Sequence, residues 1–206
     1  LIDFIRPLDP DILGLVEVDA GSYRSGKKNQ ASQIASALGH YHAYRSKYAA
    51  HSWYNRFPVL NKQGNAFLAR DTIHNERFHY FSRGMKRLVI ELELENVVVY
   101  LVHLALTFRT RQTQLGDLYS LIKETTKPHI VAGDFNALWG RTELMLFCAA
   151  TGLVNPDEVG IPTFPSWAPK RQLDFILHSP DIRVTNFWVP QATFSDHLPL
   201  LLDFEI

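Results

Sequence analysis

The chain has 206 residues, 46% of them hydrophobic and 20% charged, with 21 basic and 21 acidic side chains that leave no formal net charge. This is the make-up of one globular domain spanning 1–206, and it excludes a transmembrane helix, because no window approaches ~18 uninterrupted apolar residues. Balanced charge speaks against holding a polynucleotide mainly by phosphate neutralisation, and a single cysteine, Cys148, excludes an intrachain disulfide or a cysteine-based zinc site.

The chain opens without methionine on Leu1-Ile2-Asp3-Phe4-Ile5, which reads as the end of a helix, so residues carrying any targeting signal are expected to precede it. The run from Asp11 to Val18 is short, apolar and ends in acid, as a buried strand does. Helical spacing runs from Asn29 to Leu38 and stops at Gly39, a natural left-handed cap. Gly64-Asn65 punctuates the chain before a strand at Ala66–Ala69. Leu88–Leu94 alternates, Val97–Leu104 is almost wholly apolar, and Glu95-Asn96 between them predicts a hairpin. Leu115, Leu118 and Ile122 place a helix over Arg111–Thr125. A second buried strand, Ile130–Asp134, also ends in acid. A helix over Thr142–Ala150 closes at Gly152, and its apolar face makes Cys148 a buried, inert thiol. The lone thiol is compatible with a reducing compartment, which favours the cytoplasm. Strands at Leu173–Leu177, Val184–Val189 and Leu200–Phe204 finish the chain. Several connections are too short for parallel crossovers, so packed sheets with outer helices are expected rather than one parallel sheet.

Familiar catalytic signatures are missing: there is no phosphate-binding P-loop, dinucleotide fingerprint, nucleophile elbow or His-Glu-x-x-His. Ser195, Asp196 and His197 are of the triad types, but consecutive positions cannot relay a proton, which excludes a serine hydrolase. What remains is polar residues at the ends of apolar strands. Glu17 closes the first. Asp134 and Asn136 follow the second, and would share a face if the strand continued; an Asp/Asn turn is the alternative. Asp174, inside an apolar strand, needs a partner, and His197 is the natural one; Pro199 argues for a loop there. His103, at the end of its strand, is a candidate phosphate contact or acid. Lys86 and Arg87 stand before one strand, and Arg109 and Arg111 follow another; these are candidate phosphate binders as well as ordinary solvated cations. Trp167, in the loop Thr163–Arg171, suits a stacked base or a lipid head group, or else anchors the loop.

Taken in order, Asp11–Val18, Gly64-Asn65-Ala66, His103-Leu104, Gly133-Asp134-Phe135-Asn136, Leu173-Asp174-Phe175-Ile176 and Ser195-Asp196-His197-Leu198-Pro199 resemble the endonuclease/exonuclease/phosphatase superfamily, in particular its small bacterial members. The resemblance covers almost the whole chain. It implies an α/β (α+β) four-layer sandwich, two facing mixed β-sheets flanked by helices, with the family's first strand and its asparagine lying outside this N-terminally incomplete domain. It implies Glu17 as principal metal ligand with Asp196 nearby, and Asp134 activating water beside Asn136. Asp174 would orient His197, which binds the phosphoryl group or acts as base. Oxygen ligands of this kind suit Mg²⁺ or Mn²⁺. Val16 stands where the family usually has glutamine. The expected activity is hydrolysis of a phosphodiester or phosphomonoester by a monomer; a nuclease and a non-catalytic binding module of the same fold are the other two readings.

Overall fold

A computed structural model describes residues 1–19, 29–46, 63–138 and 140–206. The elements run α1 (Ile2–Ile5), a 3-10 turn (Arg6–Leu8), β1 (Ile12–Asp19), α2 (Gln30–Leu38), β2 (Tyr41–Ser46), β3 (Gln63–Ala69), β4 (Asn75–Tyr80), β5 (Leu88–Glu93), β6 (Val98–His103), α3 (Phe108–Ile122), β7 (His129–Asp134), α4 (Arg141–Thr151), β8 (Asp174–His178), β9 (Arg183–Trp188) and β10 (Leu201–Glu205).

Three apolar cores stack these elements into four layers. Ile5, Ala31, Ile34 and Ala35 of α1 and α2 pack on Val18, Ala66 and Leu68 of a three-stranded sheet ordered β1-β3-β2. The other face of that sheet, with Phe67 and Ala69, meets Leu88, Ile90, Leu92, Val99 and Leu101 of a five-stranded sheet ordered β4-β5-β6-β7-β8. Leu202 and Phe204 of β10 join the same central core. On the far face of the five-stranded sheet, Val89, Tyr100, Val102, Val131 and Leu177 pack against Leu115, Leu118 and Ile122 of α3 and Leu144 and Phe147 of α4. β6 contributes to both cores, which is why it reads as an unbroken apolar run with every residue buried.

The expected sandwich is present with two differences. Among the described residues the second layer is two hydrogen-bonded sheets, β1-β3-β2 and β9-β10, not one. Among those residues the five-stranded sheet alone is mixed: β6 and β7 run parallel, joined through α3, and the other pairings are antiparallel. The glycine caps stand where the sequence puts them, with Gly39 at φ 72° and Gly152 at φ 76°.

Candidate active site

Register places the central row of the site. His103 is opposite Asp134 in the β6–β7 pairing, and Asp134 is opposite Asp174 in the β7–β8 pairing. Side chains alternate along a strand. The row one step in, Leu101, Ala132 and Ile176, faces the central core, as does Val99 beside Ile130. His103, Asp134 and Asp174 therefore continue that face at the strand ends, where apolar packing gives way to a polar cluster between the layers.

β1 delivers Glu17 to this row through a bulge. Leu15 pairs with Ala66 and Val18 with Gly64, so Val16 and Glu17 together oppose Asn65. Glu17 takes φ 59°, a left-handed conformation costly for a residue with a side chain. Its N–H donates to the buried Asn65 Oδ1 at 3.3 Å, which holds the bulge. The Glu17 carboxylate, half-exposed, then comes 3.9 Å from His103 Nδ1, while His103 Nε2 lies 3.2 Å from Asp134 Oδ2. Lys86 Nζ is also against His103 Nε2.

β7 ends at Asp134, so the continued strand that would put Asp134 and Asn136 on one face does not form. A turn joins them instead. Asn136 N–H donates to Asp134 Oδ1 at 2.9 Å and Nδ2 to Oδ2 at 3.0 Å, with Asn136 at φ 49°. The second Nδ2 hydrogen goes to the Leu104 carbonyl at 2.9 Å. The side-chain amide of Asn136 is thus fully committed, one hydrogen to Asp134 and one to Leu104. Gly133 precedes the turn at φ 139°, where a Cβ would run into the Val102 carbonyl.

Asp196 and His197 lie in the loop between β9 and β10. His197 Nδ1 donates to Asp174 Oδ2 at 2.7 Å, which fixes the tautomer and leaves Nε2 to meet a ligand. Thr163 Oγ1 donates to the same oxygen at 2.6 Å. The Phe164 ring packs on the imidazole with centroids 4.9 Å apart. Asp196 is exposed, its carboxylate accepting from Ser195 Oγ at 3.1 Å and its carbonyl from Ser166 N–H at 2.7 Å. Ligand atoms of Asp134, Asp174 and His197 all lie within 4.8 Å of one another.

The carboxyls are driven apart electrostatically. Burial pushes Asp134 up, but the His103 hydrogen bond, the His103 and His197 charges and the Asn136 N–H outweigh it, leaving the group below the usual carboxylate range. Asp174 lies above that range: burial raises it and the Asp134 charge adds to this, against the His197 and Thr163 hydrogen bonds. Burial alone would lower His197, but its bond to Asp174 and the charges of Asp174, Asp134 and Asp196 hold it above its ordinary value.

The basic residues divide differently from expectation. Arg111 is no phosphate binder: it is 1% exposed, held by Glu143 and by the Ala105 and Leu106 carbonyls. Arg109 is exposed in the first turn of α3, and no hydrogen bond or ion pair ties it to the cluster among the described residues. Arg87 is half-buried with Nε lacking a hydrogen-bond partner there, likewise outside the cluster. Lys86 is the cation of that set at the site. Trp167 is 71% exposed, on the loop that Ser166 ties to Ser195 and Asp196. Thr163 and Asn65 had no role assigned from sequence, though both sit in stretches that stood out there.

The donor set fits a hard divalent cation. Glu17, Asp134, Asp174 and Asp196 supply carboxylate oxygens that outnumber the neighbouring bases Lys86, His103 and His197, and the buried Nδ1 of His103 has no hydrogen-bond partner.

Known proteins bear on this geometry in three ways. None of the curated proteins matches the chain. Among solved structures, a functionally unknown conserved protein from Enterococcus faecalis superposes with TM-score 0.77 at 15% identity, over 99% of this chain and 88% of that one. The human Nocturnin catalytic domain with bound sulfate gives 0.72 at 22%, covering 99% and 84%. An AP endonuclease from Archaeoglobus fulgidus gives 0.70 at 17%, covering 100% and 93%. At these identities the likeness establishes the fold. The model of the endonuclease/exonuclease/phosphatase family matches residues 1–197. With that match over nearly its whole length, the chain belongs to the endonuclease/exonuclease/phosphatase family.

Proposed function

We propose that the chain is a divalent-metal-dependent phosphoric ester hydrolase in which water attacks phosphorus in line. The observation that carries this reading is the convergence of Glu17, Asp134 and the Asp174–His197 pair, from four separate segments, at one end of the sandwich. Glu17 and Asp196 would hold Mg²⁺ or Mn²⁺, which when bound neutralises charge developing on the phosphoryl and leaving oxygens.

The remaining work falls to the protein's own groups. Asp134, ionised at neutral pH, accepts a hydrogen bond from the attacking water and orients it; Asn136 holds that carboxylate in place. His197 donates from Nε2 to a phosphoryl oxygen, and Asp174 keeps the ring turned and protonated at Nδ1. Lys86 places further positive charge beside Asp134, where the equatorial oxygens would gather, and His103 supplies a further polar contact there. The zero net charge favours a small or lipid-linked ester over a polynucleotide.

The test is hydrolysis of bis-p-nitrophenyl phosphate by the full chain with Mg²⁺, Mn²⁺ or excess chelator. Turnover that chelator abolishes, and that Glu17→Ala and His197→Ala both lack, is the expected result. Turnover indifferent to chelator and to both substitutions would overturn the reading.

A further inference from the structure

The inner face of α3 is apolar through Leu115, Leu118 and Ile122, but its first turns bury Arg111 and Gln114 instead. The proposed chemistry uses neither. Arg111 is accounted for by Glu143 and two backbone carbonyls. Gln114 is fully buried, and a buried amide is costly unless its hydrogens are taken. Oε1 accepts from the Ala105 N–H at 2.8 Å. Nε2 donates to the Lys86 carbonyl at 2.7 Å and to the Arg83 carbonyl at 2.9 Å. Gln114 therefore binds two separate segments that both lead into the site. Ala105 follows His103 by two residues, and Lys86 carries the ammonium that meets His103 Nε2 beside Asp134 Oδ2.

The turn that carries Lys86 is laid along α3. Phe81 N–H donates to the Arg87 carbonyl at 2.8 Å and closes the base of the turn, while Ser82 N–H donates to Asp117 Oδ2 at 2.7 Å. Gly84, at φ 102°, permits the close approach: a Cβ there would stand 2.7 Å from Gln114 Nε2. A lysine is a point charge on a flexible stem. Holding its carbonyl on the same side chain that holds the His103 segment fixes the distance over which that stem must reach. The junction needs a glutamine. Asparagine is one methylene shorter, glutamate has no hydrogens for the two carbonyls, and methionine would strand all three backbone groups. We infer that Gln114 is a positioning residue of the reaction: by tying the Lys86 turn and the His103 segment to one helix, it keeps the Lys86 ammonium against His103 and Asp134. It touches no reacting atom. The inference rests on the hydrolase reading above and adds to it the part of α3 that sets the place of the cation.

Gln114→Met and Lys86→Met are made singly and together in the full chain, and two quantities are measured. One is kcat and KM for bis-p-nitrophenyl phosphate with Mg²⁺. The other, which needs no turnover, is the NMR shift of the His103 ring, assigned by its loss in His103→Gln. Lys86→Met should lower kcat ~10²-fold and move the ring shift. Gln114→Met should lower kcat ~10-fold with KM within ~2-fold, and should also move the ring shift. In the Lys86→Met background Gln114→Met should change neither quantity further, because its effect is carried by the lysine. Gly84→Ala, which pushes the turn away from Gln114 without altering the buried face of α3, should reproduce Gln114→Met. It takes the place of that variant in the cycle if Gln114→Met shows no cooperative urea transition. Additive losses in the double variant, or a His103 ring shift that neither Gln114→Met nor Gly84→Ala moves, would overturn the inference. Absence of diester turnover in the wild type would count against the hydrolase reading instead, and the ring-shift cycle would still decide the positioning.

Discussion

Arg111 and Asp134 are both buried charges, one on α3 and one at the end of β7, and protein surrounds them in opposite ways. The Arg111 guanidinium meets Glu143 through two bonds of 2.8 Å, and its Nη1 donates to the Ala105 and Leu106 carbonyls at 2.9 Å. One cation faces one anion, and the geometry is bidentate. Around Asp134 the acids outnumber the bases, one acid is pushed down while its neighbour is pushed up, and a histidine nitrogen is left without a hydrogen bond. The first cluster is complete in itself. The second becomes balanced only when something positive, or a proton, is added. Perturbed groups of that kind gather where chemistry is done. The two are linked through the chain: Arg111 fixes the segment after His103, and Leu104 in that segment holds Asn136.

The comparison breaks most visibly at Asp134. Asp134→Asn should lower diester turnover by about 10⁴-fold and lower the thermal midpoint only modestly, because the folded surroundings favour the ionised carboxylate and part of its hydrogen bonding is lost; steady-state kinetics and calorimetry on one preparation give both numbers. Arg111→Met should show the reverse balance. It strands a buried Glu143 and should cost about 3–5 kcal/mol in urea unfolding, and Arg111→Met with Glu143→Met should recover much of that loss. Thr163→Val keeps the shape beside Asp174 but removes the 2.6 Å hydrogen bond. About a tenfold drop in kcat is expected, near 1.4 kcal/mol, with a loss of about 1–3 kcal/mol in urea unfolding, because Oγ1 also accepts from the Leu173 N–H at 3.2 Å.

The smallest effect is in pH. His197 titrates above its ordinary value in the folded chain, whereas unfolded it has a pKa of about 6.5. Its stabilising contribution is therefore fully present below about pH 6.5 and is lost as pH rises through the folded value. Urea midpoints measured across that window should fall for the wild type, and His197→Gln should flatten that part of the profile.

What could be read from the sequence follows from where each signal lives. Strands with a buried face, such as β5, β6 and β7, announce themselves by apolar residues, and the glycine caps stop α2 and α4. The strands β2 and β4 did not register. Both are outer strands: among the described residues β2 pairs only with β3 and buries Ala43, and β4 exposes Asn75, Glu76 and Arg77. α3 begins at Phe108, three residues before the start expected at Arg111, because Phe108 and Arg109 face solvent. The site's residue types were visible at the strand ends. Their mutual placement was not, because it depends on the register joining His103, Asp134 and Asp174 and on the bulge that turns Glu17. The Asp134–Asn136 segment shows the difference well: the pair converges, but through a turn and not through strand alternation. Arg111 was misread because nothing local marks an arginine as buried; its partner is 32 residues away.

The central claim is that these acids are gathered to bind a hard cation, and an Mn²⁺ titration of the full chain followed by electron paramagnetic resonance tests it without needing a substrate. The account predicts saturable binding that Mg²⁺ competes away and that Glu17→Gln weakens at least ~10-fold, with Asp203→Asn, on β10, unaffected. Binding of equal strength in the wild type and Glu17→Gln, or no saturable binding at all, would contradict it.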